Sequence, residues 1–341
     1  MKEFLQKLFE GTSFEKGEMK AAVNLLLQEE TSESEVASFL TALKMKGETV
    51  KEITGLVELL RERADFQAAP VENVMDICGT GGDGSQSFNI STTTAFVLAG
   101  AGVKVAKHGN RSVSSRTGSS DVLDHLGVGL DFTSSEVNEM LEMNGLAFLY
   151  APNVHTRLKK IMKVRGELKV PTIFNMIGPL TNPINIDTQL LGIYRRDMLG
   201  TMALVLNELG RKRAVVLNGA GYMDEASLAG ENHLVLLENG KTSRLIIHPD
   251  EAGLPVYSND TIRGGDALKN AEILLEVLKG KEGPYLDTVI FNAGIALFAN
   301  GRTTTVAEGV KLARESIQSG AAYEKLQQTV EYSQRSRKKV M

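Results

Sequence analysis

The sequence predicts two parts, a small all-helical unit over residues 1–70 and a larger α/β unit over residues 71–341 built on an at least partly parallel sheet. Three observations lead there. Before Val71, apolar side chains fall at helical spacing with no strand-like run. From Val74 onward, short apolar runs alternate with helical patterns, the order that βαβ connections produce. At 341 residues, the chain is also longer than one hydrophobic core usually organises.

In Met1–Glu10, the residues Phe4, Leu5, Leu8 and Phe9 share one helical face, and Met19, Ala22, Val23, Leu26 and Leu27 do so within Lys16–Glu30. Ser32 and Ser34, followed by Glu35, stand where a cap would open a helix over Val36–Lys46. Thr49–Arg63 is a fourth periodic segment, ended by the polar, Pro-containing linker Ala64–Val71. Val74–Cys78 reads as a strand, followed by GTGGDG (Gly79–Gly84) and an apolar helix over about Ser91–Ala101. Val103–Ala106 reads as a second strand, leading into KHGNR (Lys107–Arg111). Further strand-like runs are Leu146–Tyr150, Ala214–Leu217, Leu234–Leu237 and Thr288–Phe291, and helical patterns cover Ser119–Leu126, Asp197–Leu209, Gly265–Leu278 and Val306–Ser319. Residues 168–187, rich in Pro and Asn, read as a crossover that joins the helical part, and the basic run Arg335–Lys339 as a solvated helix end.

Composition excludes several classes. The hydrophobic fraction of 42% and charged fraction of 23% are ordinary for a globular protein. A net charge of -4, spread along the chain, argues against a generic nucleic-acid binder. No span is apolar for the length a membrane helix needs, and the N-terminus lacks the apolar core of a signal peptide. A single cysteine, Cys78, cannot form an internal disulfide, which fits a reducing, cytoplasmic setting.

The glycine run points to phosphate. Gly79, Gly81 and Gly84 satisfy G-x-G-x-x-G after a strand, so a dinucleotide site has to be weighed. Against it, Asp83 puts a carboxylate inside the loop, and the next strand ends in Lys107-His108 where an acid should meet the ribose. Glycines still allow backbone N–H groups to approach a phosphate, and Asn89-Ile90-Ser91-Thr92 follow at an expected helix N-terminus. Lys107 and the hydroxyl-rich stretch from Ser112 to Ser120 supply a point charge and directed donors. Taken alone, the glycines are equally a flexible turn. Asp224 and Glu225 are adjacent carboxylates in an expected irregular loop, Gly219–Ala229, a pattern that suits a hard cation but also occurs as a solvated acidic pair.

Together, GTGGDG, SFNIST (Ser87–Thr92), KHGNRSVSSRTGSSD (Lys107–Asp121) and DEAS (Asp224–Ser227) resemble the signature of the anthranilate phosphoribosyltransferase family. The resemblance runs from the N-terminal helices to NAGIAL (Asn292–Leu297). It implies a fold of the nucleoside-phosphorylase/phosphoribosyltransferase type, a helical domain beside an α/β domain with a central mixed sheet. It implies that 5-phosphoribosyl 1-diphosphate is held by Gly79, Gly82, Asp83, Ser87, Asn89, Ile90, Ser91, Thr92, Lys107, Ser115 and Ser119. Ser87 stands where the family more often has Thr, which keeps the hydroxyl. The resemblance further implies Mg²⁺ at Ser91, Asp224 and Glu225, although Ser91 could equally serve only as a helix cap. Anthranilate would be met by Gly79, Asn110 and Arg165, with His108 and Gly178 nearby, and a homodimer would form through the helical domain.

The chemistry agrees with that implication. Substitution at an anomeric carbon with pyrophosphate leaving needs positioning and neutralised leaving-group charge. An aromatic amine is neutral near pH 7, so no essential general base is expected. Arg165 suits a carboxylate, and it is the resemblance that sets it apart from an ordinary surface arginine. The other histidines, His125, His155, His233 and His248, show no metal-ligand spacing, and Cys78 reads as a small buried residue. Two rivals are a pyrimidine-nucleoside phosphorylase and a nucleic-acid-binding protein on the same fold. The acidic pair, Asn110, Arg165 and the acidic net charge favour the transferase.

Overall fold

The computed structural model describes residues 1–66, 68–109 and 117–340, the last four of these as backbone only. Helices α1 (Lys2–Phe9), α2 (Lys16–Leu26), α3 (Glu33–Lys46) and α4 (Val50–Glu62) form the N-terminal bundle. α3 opens where Ser32 and Glu35 predict. The Ser32 hydroxyl accepts from the Glu35 N–H at 3.3 Å, and the Glu35 carboxylate accepts from the Ser32 N–H at 2.9 Å. Thr49 and Glu52 repeat the device at α4. Glu52 is fully buried and also takes the Phe14 N–H at 2.9 Å and Lys46 Nζ at 2.8 Å, which ties the bundle together.

Seven strands follow: β1 (Val74–Gly79), β2 (Lys104–Gly109), β3 (Leu146–Tyr150), β4 (Thr188–Gly192), β5 (Arg213–Asn218), β6 (Asn232–Glu238) and β7 (Lys241–Ile247). They form one mixed sheet in the order β3-β2-β1-β4-β5-β6-β7, with β1 to β5 parallel and β6 and β7 added antiparallel. The remaining helices are α5 (Ile90–Gly100), α6 (Ser119–His125), α7 (Ser134–Met143), α8 (Ala151–Val154), α9 (Lys159–Leu168), α10 (Phe174–Ile177), α11 (Leu199–Glu208), α12 (Ala267–Leu278), α13 (Pro284–Asn300), α14 (Val306–Gln318) and α15 (Ala321–Val340).

Alternation along the strands splits the core by face. Leu190, Val215, Leu217, Leu234 and Leu236 pack toward α5 and α12 to α15. Leu191, Ala214, Val216, Val235 and Leu237 pack on the other side into the same cluster as the N-terminal bundle, α9, α10 and α11.

One expectation fails. Thr288–Phe291 is not a strand but lies inside α13, whose residues from Leu286 to Leu297 are all buried. A helix apolar on every side has no 3.6-residue contrast, so a four-residue apolar run within it looks like a buried strand. β4 and β7 were not expected. β4 is short and follows the Pro-rich crossover, while β7 is an exposed edge strand of mostly polar sequence.

Candidate active site

Parallel strands bring their carboxyl ends to one edge of the sheet, and a cavity of about 520 Å³ opens there. Its walls bring together Gly79, Gly82, Asn89, Ser91, Thr92, Lys107, His108, Ser119, Arg165, Gly178, Asp224 and Glu225. Asp83, Ser87 and Ile90 stand just behind. The Asp83 carboxylate accepts from the Ser85 N–H and hydroxyl at 3.0 Å each and from the Asp224 N–H at 3.3 Å. With the Ser85 proton committed to Asp83, the Ser87 hydroxyl donates to Ser85 Oγ at 3.3 Å, and Ile90 is buried in the core at the start of α5. Asn110 and Ser115 lie outside the described residues. In the glycine loop, Gly81 and Gly82 take φ values of 68° and 81°, a conformation that a side chain would strain.

The acidic pair sits in an irregular loop between β5 and β6. Three glycines make room for it. A Cβ at Gly79 would lie 2.8 Å from Asp224 Cγ, and one at Gly192 would lie 2.6 Å from the Asp224 carbonyl carbon. One at Gly219 would lie 3.1 Å from the Ser227 nitrogen and closer still to the Glu225 carbonyl oxygen. Gly79 and Gly192 are direct partners across β1 and β4, so the loop rests on bare backbone. From the far side, α13 clamps the loop through Asn292. Its Oδ1 accepts from the Ala226 N–H and its Nδ2 donates to the Ala226 carbonyl, both at 2.9 Å. Gly81 N–H donates to Asp224 Oδ2 at 2.6 Å, and Ser91 donates to Glu225 through both hydroxyl and N–H.

This arrangement crowds negative charge. Burial raises the Asp224 carboxyl well above its ordinary range, and the neighbouring Asp83 and Glu225 raise it further. Burial lifts Glu225 to about 7, against the pull of Lys107 and the Ser91 hydrogen bonds. Buried oxygen donors that repel one another fit a hard cation. Among the described residues, no cluster of three or more His, Cys, Asp or Glu side chains forms a full metal cage. A cation here would therefore draw on two carboxylates and complete its shell with phosphate oxygens and water, as Mg²⁺ does.

Across the cavity, Lys107 is buried on β2 and donates from Nζ to the Ile77 carbonyl at 2.9 Å. The His108 ring, also buried, pairs Nδ1 with the Gly178 carbonyl at 3.2 Å. A carbonyl only accepts, so Nδ1 carries the proton and Nε2 is a bare acceptor, buried and without a partner among the described residues. Burial, and next the edge-on His155 ring, lower His108 to about 3. Arg165, on α9, leans over the Phe174 ring at 5.4 Å and donates to Asn175 Oδ1 at 3.3 Å. Neither contact is with an acid, so the guanidinium can still take an anion.

Polar side chains pin the crossover that carries Gly178. Asn182 Nδ2 donates to Asp76 Oδ2 at 3.0 Å and to the Ala106 carbonyl at 2.8 Å, while His108 N–H donates to Asp76 Oδ1 at 3.3 Å. Gln189 donates to the Pro179 carbonyl at 2.7 Å and accepts from Arg211 Nε at 3.0 Å. Sequence reading missed Gly192, Gly219, Asn292, Asp76 and Gln189 as supports of the site. Only Asn292 carried a signal, because it begins the NAGIAL motif.

Comparison with known proteins agrees with this geometry. Residues 2–64 match the family described as "Glycosyl transferase family, helical bundle domain", and residues 71–323 match "Glycosyl transferase family, a/b domain". The chain is 59% identical over 327 residues to anthranilate phosphoribosyltransferase of Exiguobacterium sibiricum, covering 96% of each. The crystal structure of the Thermus thermophilus enzyme of that name superposes with a TM-score of 0.92 at 39% identity, covering 97% of this chain and 99% of that one. The Saccharomyces cerevisiae enzyme in complex with PRPP and Mg superposes at 0.89 with 27% identity, covering 98% and 97%. A cleft that joins the glycine loop, Lys107, Ser119 and an acidic pair, on a helical-bundle and α/β fold shared along nearly the whole chain, places this protein in the anthranilate phosphoribosyltransferase family.

Proposed function

We propose that this chain transfers the phosphoribosyl group of 5-phosphoribosyl 1-diphosphate to anthranilate, giving N-(5-phosphoribosyl)anthranilate and diphosphate in tryptophan biosynthesis. The observation that carries the reading is the single cavity shared by the glycine loop, Lys107, Ser119, the acidic pair and Arg165.

The donor's diphosphate is held by backbone N–H groups of the glycine loop, by the N-terminus of α5, by Lys107 and by Ser119. Asn110 and Ser115 complete the two substrate sites in this reading. Asp224 and Glu225, with Ser91, are the residues that hold Mg²⁺. When bound, Mg²⁺ supplies positive charge to the departing diphosphate. Arg165 pairs with the anthranilate carboxylate, and the bare Nε2 of His108 accepts a hydrogen bond from the amine. The amine lone pair forms the new C–N bond at the anomeric carbon as the C–O bond electrons leave with diphosphate. The surplus amine proton then goes to the diphosphate or to solvent. With a ring pKa of about 3, His108 orients the amine without taking its proton. No essential general base is involved.

No helix among the described residues is long and apolar enough to cross a membrane, and the proposed setting is the cytoplasm. The proposed assembly is a homodimer joined through the helical domain, with no nucleic-acid partner. Steady-state assay of the purified protein tests the reading. Anthranilate consumption should require both the donor and Mg²⁺. Phosphate-dependent release of thymine or uracil from its nucleoside, without anthranilate consumption, would replace the reading with a phosphorylase.

A further inference from the structure

Asn89 stands at the N-terminus of α5, where an asparagine ordinarily turns back to cap the first turn. Here it makes no capping bond. Its Oδ1 instead accepts from Asn270 Nδ2 at 2.8 Å. A backbone group fixes the direction of that bond. Gly265 N–H donates to Asn270 Oδ1 at 2.8 Å, and a main-chain amide can only donate. The Asn270 oxygen is thereby committed, so its NH2 must face Asn89. Asn89 in turn presents its oxygen to Asn270 and keeps its own NH2 for the cavity that it lines.

Asn270 is buried at the start of α12 and is absent from the cavity wall, so it reaches the donor only through Asn89. The turn that orients it is tightly seated. A Cβ at Gly264 would lie 2.6 Å from Asn270 Oδ1 and 2.8 Å from Phe88 Cα. Thr117, just ahead of α6, donates to the Gly265 carbonyl at 3.0 Å. Through the Gly265 peptide, Asn270 and Thr117 together join the N-terminus of α5 to the segment that opens α6.

We propose that Asn270 is a positioning residue for the donor, holding the Asn89 amide with its NH2 toward the phosphate oxygens. The proposal rests on the donor assignment above. Asn270→Asp tests it, since the new carboxylate still accepts from Gly265 but sets an acceptor against Asn89, whose amide must then turn its oxygen to the phosphates. Calorimetric titration of the full chain with donor and Mg²⁺ should show the donor Kd rising roughly 10- to 100-fold, the range for a hydrogen bond to a charged group. The KM for anthranilate at saturating donor should stay within about threefold. In an Asn89→Ala background, adding Asn270→Asp should change the donor Kd by less than about twofold, because the relay is already cut. An unchanged Kd, or an equal loss in that background, overturns the proposal. If Asn270→Asp does not fold, Asn89→Asp replaces it. That variant still accepts from Asn270 but faces the phosphates with oxygen, and wild-type donor affinity in it would be equally fatal. Wild-type protein that fails to bind the donor would instead refute the donor assignment itself.

Discussion

An alanine at position 192 is the sharpest probe of how the acidic loop is seated. Its Cβ would lie 2.6 Å from the Asp224 carbonyl carbon. Non-bonded carbons rest roughly 3.5–4.0 Å apart and the Asp224 carbonyl oxygen stands nearer still, so something must give by more than about 1 Å. β4 cannot, because Gly192 sits between β1 and β5 and its carbonyl accepts from Thr80 N–H at 3.0 Å. The irregular loop yields instead and carries Asp224 and Glu225 with it. A misplacement of even about 1 Å costs on the order of 100-fold in rate, whereas overpacking costs stability about 1–3 kcal/mol. Gly192→Ala should therefore fold, with its thermal midpoint lowered by only several degrees. Its kcat/KM should fall about 100-fold, and the Mg²⁺ concentration for half-maximal activity should rise. The measurements are a Mg²⁺ titration of initial rates and thermal unfolding in the same buffer. A folded Gly192→Ala enzyme with wild-type Mg²⁺ half-saturation would refute the reasoning.

Other predictions follow from the same geometry. Arg165→Ala should raise the KM for anthranilate by roughly 10- to 100-fold and leave the donor KM nearly unchanged; equal changes in both would count against Arg165 as the carboxylate partner. Because His108 stays neutral down to about pH 3, kcat/KM for the amine should show no ionisation of this ring near neutrality. A pH profile with a limb near neutrality that vanishes in His108→Asn would sink the neutral-acceptor role. Asp224 and Glu225 are raised in the folded protein, Glu225 to about 7, so the metal-free fold holds protons that the unfolded chain releases. The Glu225 contribution to stability is present at acid pH and is lost as pH rises through about 7, and that of Asp224 has the same sign. Mg²⁺ should therefore raise the thermal midpoint more at about pH 8 than at about pH 6, and the opposite order in a thermal-shift series would disprove the coupling.

Much of the fold was legible because the signals were local. Ser32 with Glu35 set the start of α3, and the GTGGDG turn set the end of β1. The walls of the site were legible where a residue type carries its own chemistry, as with Lys107 and Asp224-Glu225, whereas Arg165 was legible only through the family resemblance. Features that depend on distant partners were not. Nothing near Gly192 in the chain shows that Asp224 lies above it, and nothing near Asn292 shows that its amide will clamp Ala226. Thr288–Phe291 misled for a related reason: burial on all sides of α13 erases the periodicity that distinguishes helix from strand.

The crossover beneath the His108 side of the cavity has a consequence for the proposed acceptor specificity. Residues 178–182 meet the sheet through directional bonds to Asp76, Gln189 and Ala106 as well as through apolar contacts. Apolar surfaces tolerate sliding, but these bonds do not. A slip of one residue would strand a buried carboxylate and a buried amide together, at a cost of about 1–3 kcal/mol for each unpaired group. The polar lock therefore fixes which carbonyl faces His108. The width of the proposed acceptor pocket is thus set by chain register, and graded core substitutions should do little to alter it.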